Sequence, residues 1–185
     1  MAKEKKETKP ESNKKPEVKQ SVKGDGMGLG FFVLKILFIA VLGAFLVFIY
    51  RGEDAKDVSL EDIETVLTEK TEITKVMDKA SDRDLMQFIG LNAPDYDEYI
   101  YYRNTTALAV DELLIVKSGD DYKVKDAEGA VRQRIDSQIN AYQGYGPEQV
   151  QLLKSATVKK LGPYLVYISA KDATEYEEVI LNVIQ

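Results

Sequence analysis

The side chains in this chain best suited to acid–base chemistry are carboxylates. Asp111-Glu112 and Glu177-Glu178 stand as adjacent pairs, while Asn92, Asp95, Asp97 and Glu98, with Asp120-Asp121 further on, form an oxygen-rich set. Two converging carboxyl groups can divide the roles of general acid and general base. Sequence neighbours do not converge by themselves, because on a strand or a helix they point to different faces. The loop acids are hard oxygen ligands of the kind calcium takes, but no Asp-x-Asp-x-Asp-Gly loop with a twelfth-position Glu organises them. Residues 24–30, GDGMGLG, have the glycine spacing of a phosphate loop, yet they follow no strand and lead into an apolar run.

Other chemistries are excluded by composition. The 185 residues include no His and no Cys. There is therefore no thiol nucleophile, disulfide, thiolate metal site, imidazole triad or cysteine-linked lipid. No cofactor, metal or catalytic set is implied. Tyrosine is the unusual residue, with Tyr96, Tyr99, Tyr101, Tyr102, Tyr142, Tyr145, Tyr164 and Tyr167 in expected strands, the long helix and turns. Strand alternation puts Tyr99 and Tyr101 on one face and Ile100 and Tyr102 on the other. About half of these rings are expected in the core. Tyr99, Tyr101, Tyr142 and Tyr145 are the candidates for an exposed aromatic surface that meets a protein or glycan partner, since Tyr offers large contact area at low entropic cost.

The elements that position these residues divide the chain by charge. Residues 1–28 carry eight Lys against five acids, residues 51–185 carry 16 basic against 26 acidic residues, and the apolar run between them holds one Lys, so +3, −10 and +1 give the net −6. The first piece has too few apolar residues to offset chain entropy and reads as a disordered, Lys-rich cytoplasmic tail. Its lysines lack the aromatic interleaving of a nucleic-acid platform, so no nucleic-acid partner is expected. The run Phe31 to Tyr50 is long enough as a helix to cross a bilayer of ~30 Å hydrocarbon thickness. Lys35 lies one turn inside it and can snorkel, while Tyr50 and Arg51 close the far end as interface anchors. No A-x-A-like cleavage site follows the run. An uncleaved single-pass anchor is expected over 29–51, with the N-terminus cytoplasmic, a linker at 52–58 and an extracytoplasmic domain over 59–185.

Within that domain, Ser59 and Asp62 suggest a capped helix bearing Leu60, Ile63, Val66 and Leu67, and Ser81 or Asp82 caps a second that Gly90 stops. DEYIYYRN and ELLIVKSGDDYKV read as strands separated by the loop NTTALAVD. A long helix follows, with Ala127, Val131, Ile135, Ile139 and Tyr142 on its inner face, and Pro147 opens a short one. Two runs hinged at Gly162-Pro163 form a hairpin, and the helix ATEYEEVILNVIQ closes the chain. The fold class is α+β: short helices, then strand-strand-helix-strand-strand-helix, with an antiparallel sheet of about four strands covered by helices on one face.

The stretches DEYIYYRNTTALAVDELLIVK and GYGPEQVQLLKSATVKKLGPYLVYISAKD resemble the bacterial domain-of-unknown-function family 4358 over roughly Val58 to Ile184. The shared features are a tyrosine-rich strand, an acidic turn before an aliphatic strand, and a Gly-x-Tyr hairpin before the last helix. The resemblance implies a membrane-anchored or secreted protein of Gram-positive, chiefly clostridial, bacteria. Many members carry a lipoprotein cysteine, where this chain has a helix and no Cys. The family implies no activity and no site residues. Two functional expectations follow: a non-enzymatic binding module at the cell envelope, held to the bilayer by one helix and meeting a membrane or envelope protein, or an envelope hydrolase using carboxylates alone.

Overall fold

The computed structural model describes residues 26–50 and 55–185, with the side chains of 30–45 in the first stretch and all of them in the second. The Lys-rich tail up to residue 25, the Tyr50 side chain and Arg51 lie outside the described residues.

The first unit contains helix α1 (Gly26–Tyr50), 25 residues long. Its described side chains are apolar all round and exposed on every side, apart from Lys35, whose Nζ sits 5.4 Å from the centre of the Phe31 ring. Among the described residues no helix is long and apolar enough to cross a membrane.

The second unit is the domain. Helix α2 (Leu60–Lys70) starts where Ser59 Oγ accepts the Asp62 N–H at 3.2 Å, satisfying one of the amide donors left unpaired at a helix start. A single turn, α3 (Ile73–Val76), leads to the two-residue strand β1 (Asp78–Lys79). Ser81 and Asp84 then form a reciprocal capping box for α4 (Asp82–Asp84), which runs into a π-helical turn, Leu85–Ile89. Gly90 ends that turn at φ 87°, donating its N–H to the carbonyls of Leu85 and Met86. Strands β2 (Glu98–Arg103) and β3 (Glu112–Lys117) flank the loop 104–111. Helices α5 (Asp121–Tyr142) and α6 (Pro147–Lys154) precede the hairpin β4 (Thr157–Leu161) and β5 (Tyr164–Ser169), and α7 (Ala173–Ile184) follows.

The sheet has five strands in the order β1-β2-β3-β5-β4, all antiparallel. The expected β4–β5 hairpin turns at Gly162-Pro163, pairing Leu161 with Tyr164. Three expectations are corrected. The fifth strand, β1, is too short to leave a periodic signature. The run DDYKV is helix rather than strand, because Asp120 accepts the Tyr122 N–H and caps α5.

The third correction is the larger one: helices cover both faces of the sheet. On one face Ile100, Tyr102, Leu113, Ile115, Val166 and Ile168 pack with α2, α3 and α7. On the other, Tyr101, Leu114, Val116, Leu165 and Tyr167 pack with the π turn and α5. Burial on both sides explains why ELLIVK and YLVYIS read as near-continuous apolar runs instead of alternating ones. The outer strand β4 keeps Lys159 and Lys160 exposed, paired with Glu177 and Asp121, which guards that edge against further strand pairing.

Within the expected linker, residues 55–58 are fastened to the domain. The Lys56 N–H donates to the Ile184 carbonyl at 2.7 Å, and the Val58 N–H donates to the Tyr164 hydroxyl at 2.8 Å. Lys117 Nζ donates to the Val58 carbonyl at 2.9 Å and pairs with Asp57 and Glu98. These pairings more than offset the burial that opposes its charge, and its pKa is raised.

Candidate functional site

Sheet register places two rows of three side chains under α5. Arg103, Glu112 and Ser169 stand opposite one another at the ends of β2, β3 and β5, and Tyr101, Leu114 and Tyr167 form the next row. Directly opposed residues on antiparallel strands share a face, so all six point toward α5. The inward stripe of α5 is apolar at Val124, Ala127 and Val131 and then turns polar at Arg134 and Gln138. A step of seven residues nearly closes two helical turns, so Gln138 follows Val131 inward, whereas Ile139 falls well to one side. Ile135 and Ile139, expected to continue the core stripe, are therefore only half-buried.

Glu112 is 3 % exposed and saturated with donors. Arg134 donates from an Nη to Glu112 Oε1 at 2.8 Å, the Tyr101 hydroxyl donates to the same oxygen at 3.1 Å, and the Tyr167 hydroxyl donates to Oε2 at 3.1 Å. Burial first, and then the Glu112 charge, pushes both phenols upward, so they remain neutral donors. The Phe88 ring from the π turn lies 3.9 Å from the Arg103 guanidinium and 5.4 Å from that of Arg134. Arg134 is thus neutralised by Glu112. Arg103 makes no ion pair and no side-chain hydrogen bond among the described residues, and its buried Nε has no acceptor.

Above this cluster, between the loop 104–111 and the last turns of α5, lies a cleft of ≈ 350 Å³. Its floor carries Arg103, Arg134 and Gln138, and its wall carries Tyr142 and Tyr145, whose rings are 5.4 Å apart and tilted by 52°. Among the described residues no carboxylate lines it. Gly146 allows the tyrosines this arrangement: a Cβ there would come within 3.0 Å of the Tyr142 ring. On the other side of the loop a wider cleft of ≈ 770 Å³ is lined by Asp111, Glu148, Leu152 and Lys171 among others. Asn104 holds the loop by accepting the N–H and the hydroxyl of Thr106 at 2.9 and 2.7 Å. At its crest Leu108 is exposed with φ 67°, a left-handed conformation that costs a non-glycine residue ~1–2 kcal/mol.

Of the tyrosines singled out by sequence, Tyr142 is half-buried and Tyr145 is 63 % exposed, both at the cleft. Tyr101 is corrected: it is fully buried beneath the cleft as a ligand of Glu112, because its face of the sheet is covered by α5. Tyr99 lies two residues back along β2, half-buried and bonded to Asp82, away from the cleft. Arg103, Arg134 and Gln138 carried no sequence signal, and Phe88 read only as part of an apolar helix face, since the four meet where α5 and the π turn pack over the end of β2.

The acidic groupings resolve into structural roles. Asp111 faces the wider cleft while Glu112 faces inward, as strand alternation requires. Glu177 pairs with Lys159, and Asp97 accepts the Gly119 N–H at 2.7 Å. Glu98 accepts the Leu60 N–H at 2.7 Å, and Asp95 accepts from the Asn92 amide at 3.1 Å. Hydrogen bonds from Lys125 and Lys160 hold the Asp121 carboxyl down at about 2. Among the described residues no group of three or more His, Cys, Asp or Glu is placed to hold a metal ion.

The fold and this site define a class: an α+β domain with an antiparallel sheet clad by helices on both faces and an arginine-floored cleft at one end of the strands. A family model described as Domain of unknown function (DUF4358) matches residues 69–170, and the chain belongs to that family. The matched region contains β2, the loop 104–111, β3, α5 and α6, and therefore every residue of the cleft. Comparison with curated proteins and with solved structures finds no match.

Proposed function

We propose that this protein is a single-pass membrane protein whose C-terminal domain is a non-enzymatic binding module on the outer face of the membrane, taking its partner at the cleft beside the loop 104–111. The observation that carries the binding role is the cleft itself: a guanidinium on the floor whose Nε has no acceptor among the described residues, a pair of tyrosines on the wall, and no carboxylate among the described lining residues. Aromatic and arginine side chains are the usual anchors of binding surfaces. Supporting the anchor are the helical backbone over 25 residues and the apolar run from Phe31 to Tyr50, whose one charged residue is Lys35. The lysine-rich side of that run is retained in the cytoplasm under the positive-inside rule. The partner is a membrane or envelope protein.

The test is photo-crosslinking in intact cells from an unnatural amino acid at position 145, with Tyr122, exposed near the start of α5, as the control position. One discrete adduct from position 145 and none from 122 is expected; equal or absent adducts at both positions would overturn the reading. The alternative, a carboxylate hydrolase, draws on Asp111 and Glu148, which both line the wider cleft. Turnover of an envelope polymer that disappears on Asp111→Asn and Glu148→Gln would favour it.

A further inference from the structure

The cleft also carries information about what it binds. It holds two guanidiniums: Glu112 pairs with that of Arg134 at 2.8 Å, whereas Arg103 makes no ion pair among the described residues and its charge acts on Asp84 through space. That single charge matches a monoanion; a doubly charged phosphate would keep a surplus negative charge within a domain whose residues 51–185 already sum to −10. Two further atoms specify hydrogen bonding. Among the described residues Arg103 Nε is a donor without an acceptor, and Gln138 Oε1, on a residue 8 % exposed, is an acceptor without a donor. Buried polar groups left unpaired are destabilising, so both atoms favour an occupant that completes them. It must accept from the arginine and donate to the glutamine. The tilted Tyr142–Tyr145 pair supplies an apolar wall for the rest of that occupant, and ≈ 350 Å³ accommodates a body of one or two amino acids.

Resting on the reading of this cleft as the binding site, we infer that it takes the carboxylate end of an N-acylated amino acid or short peptide, the carboxylate on Arg103, the adjacent amide N–H toward Gln138 Oε1, and the side chain against Tyr142 and Tyr145. The planar guanidinium, held on the Phe88 face at 3.9 Å, presents a fork matched to a carboxylate.

The probe is hippurate, which joins a carboxylate, an amide N–H and an aromatic ring, titrated into the full-length chain in detergent micelles while the Arg103 Nε–H resonance is followed. Hippuramide, neutral and otherwise alike, and inorganic phosphate are the comparisons. Hippurate is expected to shift that resonance saturably. Hippuramide should bind at least about tenfold more weakly, the size of one charge-assisted hydrogen bond. Arg103→Lys, which keeps the charge and loses the fork, should weaken hippurate by about tenfold. Tyr145→Ala, at an exposed position where folding is not at stake, should weaken it by about fivefold, one aromatic contact's worth. No shift with hippurate, equal binding of hippuramide, phosphate binding as tightly as hippurate, or hippurate binding unchanged by both substitutions overturns the inference. A silent hippurate titration alongside a position-145 crosslink in cells would leave the binding-module reading standing, whereas a hippurate response without the crosslink would overturn the protein partner and support the ligand class.

Discussion

Replacing Glu112 by Gln isolates the part of the site that the domain depends on. The wild-type carboxylate offers two acceptor oxygens, and they take the Arg134 guanidinium at 2.8 Å and the hydroxyls of Tyr101 and Tyr167 at 3.1 Å each. Glutamine keeps the shape but presents one oxygen and one NH2, so either a hydroxyl or the guanidinium faces a donor. An unpaired buried donor costs ~1–3 kcal/mol, and removing one partner of a buried ion pair costs ~3–5 kcal/mol in all. With Glu112 3 % exposed, the upper range applies, a large share of the ~5–15 kcal/mol that holds a domain together. At a urea slope of ~2 kcal/mol/M, the midpoint should fall by about 2 M. The assay is urea unfolding of residues 52–185 followed by circular dichroism. The double change Glu112→Gln with Arg134→Met removes both charges, and should be at least ~1 kcal/mol less destabilised than the two single losses summed. A Glu112→Gln loss under ~1 kcal/mol, or strict additivity in the double variant, would refute the idea that this carboxylate is a saturated structural hub.

Four further outcomes follow from the same contacts. Tyr164→Phe removes the hydroxyl that accepts the Val58 N–H and donates to the Val58 carbonyl at 2.7 Å, so stability should drop by ~1–2 kcal/mol and hydrogen exchange at Val58 should accelerate. Gly162→Ala puts a Cβ 3.2 Å from that of Ala55 on a backbone with φ 54°, and a loss of ~1–2 kcal/mol is expected in thermal unfolding. Tyr96, Tyr99 and Tyr176 are pushed up to about 12, chiefly by burial. Because unfolded tyrosines titrate near ~10, the folded state binds more protons above that pH; stability should be flat below ~9 and fall as pH rises from ~10 through 12, with tyrosinate absorbance appearing together with unfolding. Lastly, residues 52–185 should be soluble, monomeric and cooperatively folded, whereas the full chain should resist alkaline extraction from membranes; aggregation of the fragment would place part of the domain's cover in the first 51 residues.

What could be read from sequence was mostly local. Ser59, Ser81, Gly90 and Gly162-Pro163 mark caps, a stop and a hairpin because each acts on backbone groups within a few residues, and all four mark the expected feature. The clothing of both sheet faces was signalled by the unbroken apolar run of ELLIVK, but alternation in the tyrosine strand pointed the other way, since Tyr99 and Glu98 at its start are only half-buried. The cleft was half legible. Tyr142 and Tyr145 follow from helix spacing near a glycine-rich end, but Arg103 and Glu112 meet through strand register, and Arg134 joins them only because a helix 22 residues long crosses the ends of three strands. Local periodicity carries no information about such a crossing. It is also why Tyr101, equivalent to Tyr99 by alternation, is buried whereas Tyr99 stays half-buried and bonded to Asp82.

The absence of native cysteine makes the most direct test simple. In intact cells, single Tyr122→Cys and Tyr145→Cys chains would be treated with a membrane-impermeant maleimide, before and after detergent solubilisation. An outward-facing domain with an occupied cleft predicts rapid labelling at position 122, slow labelling at 145, and equal rates once detergent releases the partner. Failure of both positions to label in intact cells would contradict the topology, and equal labelling of both before detergent would contradict occupancy of the cleft.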